Sequence, residues 1–271
     1  MSHRNKDKWA LALAASFALT LVACGGGGGE EDEGPDLPDD VEETGPAMIE
    51  GAWTGTALHM NTASARPAVL IATRDGDTML YIQRGVDSAV VRGDACCDGL
   101  VEGSGDGWTL VNQTRTAAPV RFLITDLVNG QRALTGPVTV EGQVYELDLR
   151  RHADYQQPLS LASLAGSYTL TTAAGPRVTF DITPTGALTA TDVVGCQFAA
   201  QLSVPDVTRN LFVIPSLTMT GCTGGATVRN GTYSGLGYLA GLADPQAPKL
   251  LTFMLSGNLV YAMALPGALE E

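Results

Sequence analysis

Few side chains in this 271-residue chain are of the types that do chemistry. Five are cysteines: Cys24, the adjacent Cys96 and Cys97, and Cys196 and Cys222. Three are histidines: His3, His59 and His152. No serine occupies a Gly-x-Ser-x-Gly elbow, and Ser234 sits between Thr232-Tyr233 and Gly235-Leu236. His-Glu-x-x-His, phosphate-loop and dinucleotide-binding fingerprints are missing. His152 stands two residues before Asp154, a pairing that reads as a surface connector before it reads as part of a triad. Asp94, Asp98 and Gly99 lack the further acids and the closing Glu of a calcium loop. The expectation is therefore no catalytic residue, no metal and no cofactor. Glycoside hydrolysis needs only two carboxylates at no fixed sequence spacing, so a hydrolase working through scattered carboxylates is kept as an alternative.

What the thiols do depends on the compartment, and the N-terminus speaks to that. Arg4, Lys6 and Lys8 form a basic start. Trp9 to Val22 is apolar apart from Ser16 and Thr20. That run is shorter than the ~20 residues of a membrane-spanning helix and fits the apolar core of a secretory signal. It ends in Leu21-Val22-Ala23-Cys24, which resembles the lipobox of bacterial lipoproteins. The resemblance implies cleavage before Cys24, a diacylglycerol thioether on its sulfur and acylation of the new amine. Several acyl chains hold a protein firmly where one holds it marginally. Gly25 follows the cysteine, and the absence of Asp there resembles the outer-membrane pattern. Whether the protein faces the periplasm or the cell surface is left open.

Residues 24–48 read as a tether. Gly25 to Gly29 are followed by nine acids between Glu30 and Glu43, interrupted by Gly34, Pro35, Pro38, Gly45 and Pro46. Such a segment has charge and little to bury, so disorder is expected. The whole chain carries Lys+Arg 16 and Asp+Glu 29, a net charge of −13. Setting aside the leader and the tether leaves 13 basic and 19 acidic residues, net −6. The acidity therefore belongs largely to the spacer. Nucleic acid is excluded as a partner by sign, because phosphate binding needs clustered Lys and Arg.

From Ile49 onward the chain is poor in charge and rich in Gly, Thr and Val. Short alternating runs such as Val69–Ala72, Met79–Ile82, Val144–Leu149 and Val178–Ile182 point to antiparallel strands. Asp75-Gly76-Asp77 reads as the hairpin turn between the first two. Residues 159–165 have room for one helical turn. The connector Tyr155-Gln156-Gln157-Pro158 divides the body into a first domain, 49–158, and a second, 159–271. The halves echo each other, Gly51-Ala52-Trp53 against Gly166-Ser167-Tyr168. The class is all-β: two tandem antiparallel domains, each with about eight strands in a usual domain length.

The Gly-x-aromatic openings resemble the first strand of calycin barrels, the lipocalins and avidins. That resemblance implies up-and-down barrels with Trp53 and Tyr168 plugging one end of each; a β-sandwich is the alternative. The wider pattern, with Gly195-Cys196, Gly221-Cys222 and Tyr233-Ser234-Gly235, is similar to uncharacterised proteobacterial lipoproteins with a Gly-rich tether and two β-domains.

An exported chain meets an oxidising compartment. Cys196 and Cys222 flank a hairpin whose strands pass through Phe198 and Phe212, and equal steps out from its loop bring them within disulfide reach. Cys96 and Cys97 can form a vicinal disulfide, stay as thiols, or pair across domains. These observations converge on a non-catalytic binding or accessory module, lipid-anchored through Cys24 to the outer membrane and partnered by an envelope protein or other envelope component. The alternative is a carrier of a small apolar ligand in the second barrel, where Gly235 and Gly237 leave room beside Leu251, Phe253 and Leu255.

Overall fold

A computed structural model describes residues 49–84, 87–96, 102–109, 115–116, 133–140, 142–170, 178–193, 195–224, 229–244, 246–257 and 262–269. The leader, Cys24, the tether and Cys97 lie outside the described residues. The two β-domains belong to one compact unit, Glu43–Glu271.

The first domain is a sheet of eight strands: β1 (Gly51–His59), β2 (Ser64–Ala72), β3 (Asp77–Arg84), β4 (Asp87–Cys96), β5 (Glu102–Thr109), β6 (Arg115–Thr116), β7 (Ala133–Val140) and β8 (Gln143–Arg151). Their order is β6-β5-β4-β3-β2-β1-β8-β7, every neighbour antiparallel. The first strand thus sits between the second and the last, the wiring of an up-and-down barrel. The second domain repeats it: β9 (Gly166–Leu170), β10 (Val178–Ile182), β11 (Ala187–Asp192), β12 (Gln197–Gln201), β13 (Phe212–Thr220), β14 (Gly231–Ala240), β15 (Leu250–Gly257) and β16 (Ala262–Leu269). Here β16 returns to β9 through Ala268↔Thr169 and Leu269↔Tyr168, and the barrel closes. Closure leaves no sheet edge and distinguishes the barrel from the sandwich.

Period-2 alternation builds both cores. Along β10 Val178, Phe180 and Ile182 are buried while Asp181 is exposed. Edge-to-face contacts of Phe180 with Phe198 and with Phe253 fill the barrel interior. Pro215, which has no N–H for a ladder, falls where the β13–β14 register shifts between Ile214 and Leu217. A short helix, α1 (Leu161–Leu164), carries a capping box between Ser160 and Ser163. It brings Leu159 and Leu164 into the barrel core.

The echo between the halves is structural. Trp53 Nε1 donates to the Ile49 carbonyl at 2.8 Å, and Tyr168 Oη donates to the Leu164 carbonyl at 3.1 Å, each four residues back. Both rings and both preceding aliphatic residues are buried. The β2–β3 and β10–β11 hairpins also share one turn. Thr73 and Gly76 make the backbone bonds that Thr183 and Gly186 make, with the glycines at φ 94° and 85°. Those values favour glycine over any side chain.

Candidate functional site

The polar groups that stood out in the sequence meet at the junction of the two domains. Strands β1 to β4 turn one face inward, where Ala57, Leu70, Leu80 and Val91 form the first core. Their other face carries Ala52, Ile71, Met79 and Val90, which pack with Leu211, Leu236, Tyr238 and Met254 from the outside of the second barrel. Strands β14 and β15 are therefore buried on both sides, and a third core joins the domains.

Around that core lies a ring of hydrogen bonds. Arg92 on β4 holds Asp77 on β3 bidentately, Nε to Oδ1 at 3.1 Å and Nη2 to Oδ2 at 2.8 Å. Its remaining nitrogen, Nη1, donates across the junction to Ser256 Oγ at 3.1 Å and to Ser234 Oγ. A planar guanidinium with several donors can serve three partners at once. Asp154, in the 3-10 turn Ala153–Gln156 of the connector, is 5 % exposed. Its carboxylate accepts from the backbone N–H of Gly241 and of Ala243, both at 2.6 Å. The expectation of a surface connector is corrected here: Asp154 is a buried clamp on the β14–β15 loop.

His152 is oriented by the same turn. Its Nδ1 accepts from the Asp154 N–H at 3.2 Å, and its ring lies 5.0 Å from that of Tyr238. Burial lowers the imidazole pKa below 6.5 and outweighs the opposing pull of the Asp154 carboxylate. Asn210, fully buried, pairs with the Leu239 backbone through both ends of its amide and donates its own N–H to the Tyr155 carbonyl at 3.0 Å. The Arg151 guanidinium sits 4.7 Å from the Trp53 ring centroid and 4.9 Å from that of Tyr155. Burial, chiefly, pushes the Tyr155 phenol up to about 12. The His152–Asp154 pair and Ser234 are thus engaged with backbone and with Arg92. They hold the domains together.

Cys196 and Cys222 are joined in a disulfide, with Cα atoms 4.2 Å apart. The β12–β13 ladder ends at Gln197↔Thr220, so both cysteines lie just past it and are not a directly opposed ladder pair. Gly195 and Gly221, at φ 83° and 71°, turn the chain there. Asp192 Oδ1 accepts the Cys196 N–H at 2.8 Å, and Asn230 Oδ1 accepts that of Cys222 at 3.0 Å. Cys96 ends β4, but its side chain, like the whole of Cys97, lies outside what is described, and so does the choice among their redox states.

The room expected beside Gly235 and Gly237 is taken. A Cβ on Gly237 would fall 2.2 Å from Cζ of Phe212. One on Gly235 would fall 1.9 Å from the Met254 carbonyl oxygen and 2.9 Å from Leu255 Cδ2. These glycines admit a ring and a close strand approach. Sequence reasoning missed Arg92 and Asn210. Arg92 ends the short apolar run Ala89-Val90-Val91 on β4, the one signal that could have drawn attention to it. Comparison with known proteins found no match to a family model, to a curated protein or to a solved structure.

Proposed function

We propose that the chain is a non-catalytic binding or accessory module of the bacterial envelope, tethered to the outer membrane by lipid on Cys24. The observation that carries this reading is the junction between the two domains. His152–Asp154, the one acid–base pairing noted in the sequence, and Ser234 are engaged in fixing the two domains as one body. A rigid β scaffold of this kind presents its loops for recognition. The filled space beside Gly237 weighs against carriage inside the second barrel. The partner expected is an envelope protein or another envelope component, not nucleic acid.

Two measurements test the reading. Cys24→Ser should abolish palmitate labelling, and continued incorporation would remove the anchor from the proposal. Cross-linking in intact cells, followed by binding of the purified partner, should give a saturable complex. Turnover by the purified chain in a hydrolase panel would replace the module with an enzyme.

A further inference from the structure

Just past the end of the β12–β13 ladder, a circuit of contacts closes around Asn230. Its carboxamide is tied at both ends to the backbone of Cys222. Oδ1 accepts the Cys222 N–H at 3.0 Å, and Nδ2 donates to the Cys222 carbonyl at 3.4 Å. Cys222 is joined to Cys196 by the disulfide. The Cys196 N–H is held by Asp192 Oδ1 at 2.8 Å, and the other oxygen of Asp192 stands 3.7 Å from Nη1 of Arg229. Arg229 precedes Asn230 in the chain, so the circuit returns to its start. The disulfide is the link in it that a reductant can open.

Asn230 is exposed and is followed by Gly231. In such a dipeptide no side chain on the glycine obstructs attack of its amide nitrogen on the asparagine carboxamide. The fold does not require glycine there. Gly231 has no positive φ, and a Cβ on it would meet Tyr233 Cε2 at 3.9 Å, an ordinary contact. Attack needs the carboxamide to turn toward the Gly231 nitrogen, and the two bonds to Cys222 oppose that rotation. Hydrogen bonds of this kind each shift an equilibrium by roughly fivefold, so the pair can supply tenfold protection.

We propose that Asn230 is a self-modifying site gated by the Cys196–Cys222 disulfide. While the disulfide is closed, the circuit holds the carboxamide on Cys222. A dithiol reductant opens the bridge to two thiols and releases Cys222 at its sulfur. The Gly231 nitrogen, its proton taken by solvent base, then bonds to Cγ of Asn230; the Cγ–Nδ2 bond breaks and ammonia leaves. Water opens the resulting succinimide at either carbonyl, giving aspartate or isoaspartate. Each product adds one negative charge beside Arg229, and neither carboxylate has an N–H to return to the Cys222 carbonyl. The rim of the second barrel thereby keeps a record of a reducing episode that re-oxidation does not erase. The site depends neither on the lipid anchor nor on an envelope partner.

The test is peptide mapping by mass spectrometry of the full chain carrying Cys24→Ser, held at mildly alkaline pH in three states: disulfide closed, reduced with dithiothreitol, and unfolded in guanidinium chloride. Asn230 in the closed protein should convert at least tenfold more slowly than in guanidinium. Reduction should raise the closed rate at least fivefold while circular dichroism still shows the sheet. Gly231→Ala should melt with the parent and lose that rise, because its methyl group obstructs the attack. Conversion of the closed protein at the guanidinium rate, no rise on reduction, or an equal rise in Gly231→Ala would each overturn the proposal. Should reduction unfold the second domain, the disulfide-closed chain carrying Asp192→Asn decides. It loosens the circuit at Arg229 with the bridge kept, so Asn230 should convert faster than in the parent, and an unchanged rate refutes the gating.

Discussion

Replacing Gly237 with alanine tests whether the second barrel is packed to its centre. The Cβ so introduced would stand 2.2 Å from Cζ of Phe212 and 2.7 Å from each Cε. Carbon atoms attract best at ~3.5–4.0 Å, so the ring must move by more than an ångström. It has little freedom to do so, because Phe212 is 1 % exposed within a core that also holds Phe180, Phe198 and Phe253. Overpacking of this kind costs about 1–3 kcal/mol. Alanine recovers some of that through its smaller backbone entropy loss, of order 0.5–1 kcal/mol. The net loss should be about 1–2 kcal/mol, or roughly 2–8 °C in melting temperature for a body of this size. Phe212→Leu removes the clashing atoms, and the double variant should then be more stable than the two single losses add up to, by at least ~1 kcal/mol. Thermal melting of the four proteins measures this. A Gly237→Ala protein that melts at or above the parent would mean that the barrel has spare volume, and internal ligand carriage would return.

Three further outcomes follow from the same contacts. Cys196→Ala with Cys222→Ala opens a cross-link 26 residues apart in sequence and should remove about 3 kcal/mol; because a third core joins the domains, one melting transition should shift as a whole, and a first domain that melts unchanged in calorimetry would contradict the joint packing. Asp154→Asn places an amide against two backbone donors and should cost about 1–3 kcal/mol, read as a lowered urea midpoint together with faster proteolysis in the β14–β15 loop. The tyrosines set the alkaline limit. Burial pushes Tyr155 and Tyr168 up to about 12 from 10.0, so the folded chain keeps protons that the unfolded chain loses, and stability should fall as pH rises from 10 toward 12. His152 works in the other direction: its lowered pKa leaves the folded chain with fewer protons, so its contribution is complete above pH 6.5 and is lost as pH falls below it. A urea midpoint that stays flat across the alkaline window would refute the tyrosine argument.

Strands were legible wherever one face meets water. Val178-Thr179-Phe180-Asp181-Ile182 alternates because only one side of β10 is core. The hairpin at Asp75-Gly76 and the disulfide were legible for a related reason, since turn chemistry and loop symmetry are local. The junction was not. It depends on Asp154 meeting Gly241 and Ala243, 87 and 89 residues away in sequence, and on Arg92 meeting Ser256, 164 residues away. No spacing rule reaches that far. One trace of it does exist. Leu236-Gly237-Tyr238-Leu239 and Phe253-Met254-Leu255 are apolar at consecutive positions, and all of these residues are buried. A run without alternation marks a strand covered on both faces. In a barrel whose interior takes one face, the other face must be taken by something else.

That second cover also explains why the repeat was faint in sequence while plain in structure. The shared features are local locks: an aliphatic residue, then Gly-x-aromatic, with the ring bonded back to the carbonyl four residues earlier, and a Thr-x-x-Gly turn. Each needs only two or three residue types, and both halves keep them. The strands between are free to differ, because the two domains face different surroundings. In the first domain, β1 to β4 lend their outer face to the junction; in the second, β14 and β15 do so, joined by residues that lead into β13. Corresponding strands of the two halves thus carry apolar outer faces in one and polar ones in the other. Thr179, Asp181, Thr189 and Thr191 on β10 and β11 stand where Val69, Ile71, Met79 and Tyr81 stand on β2 and β3. Asymmetric docking of two like β-domains therefore erases the alignment strand by strand and spares the openings, which lie in each domain's own core and are used in the same way twice.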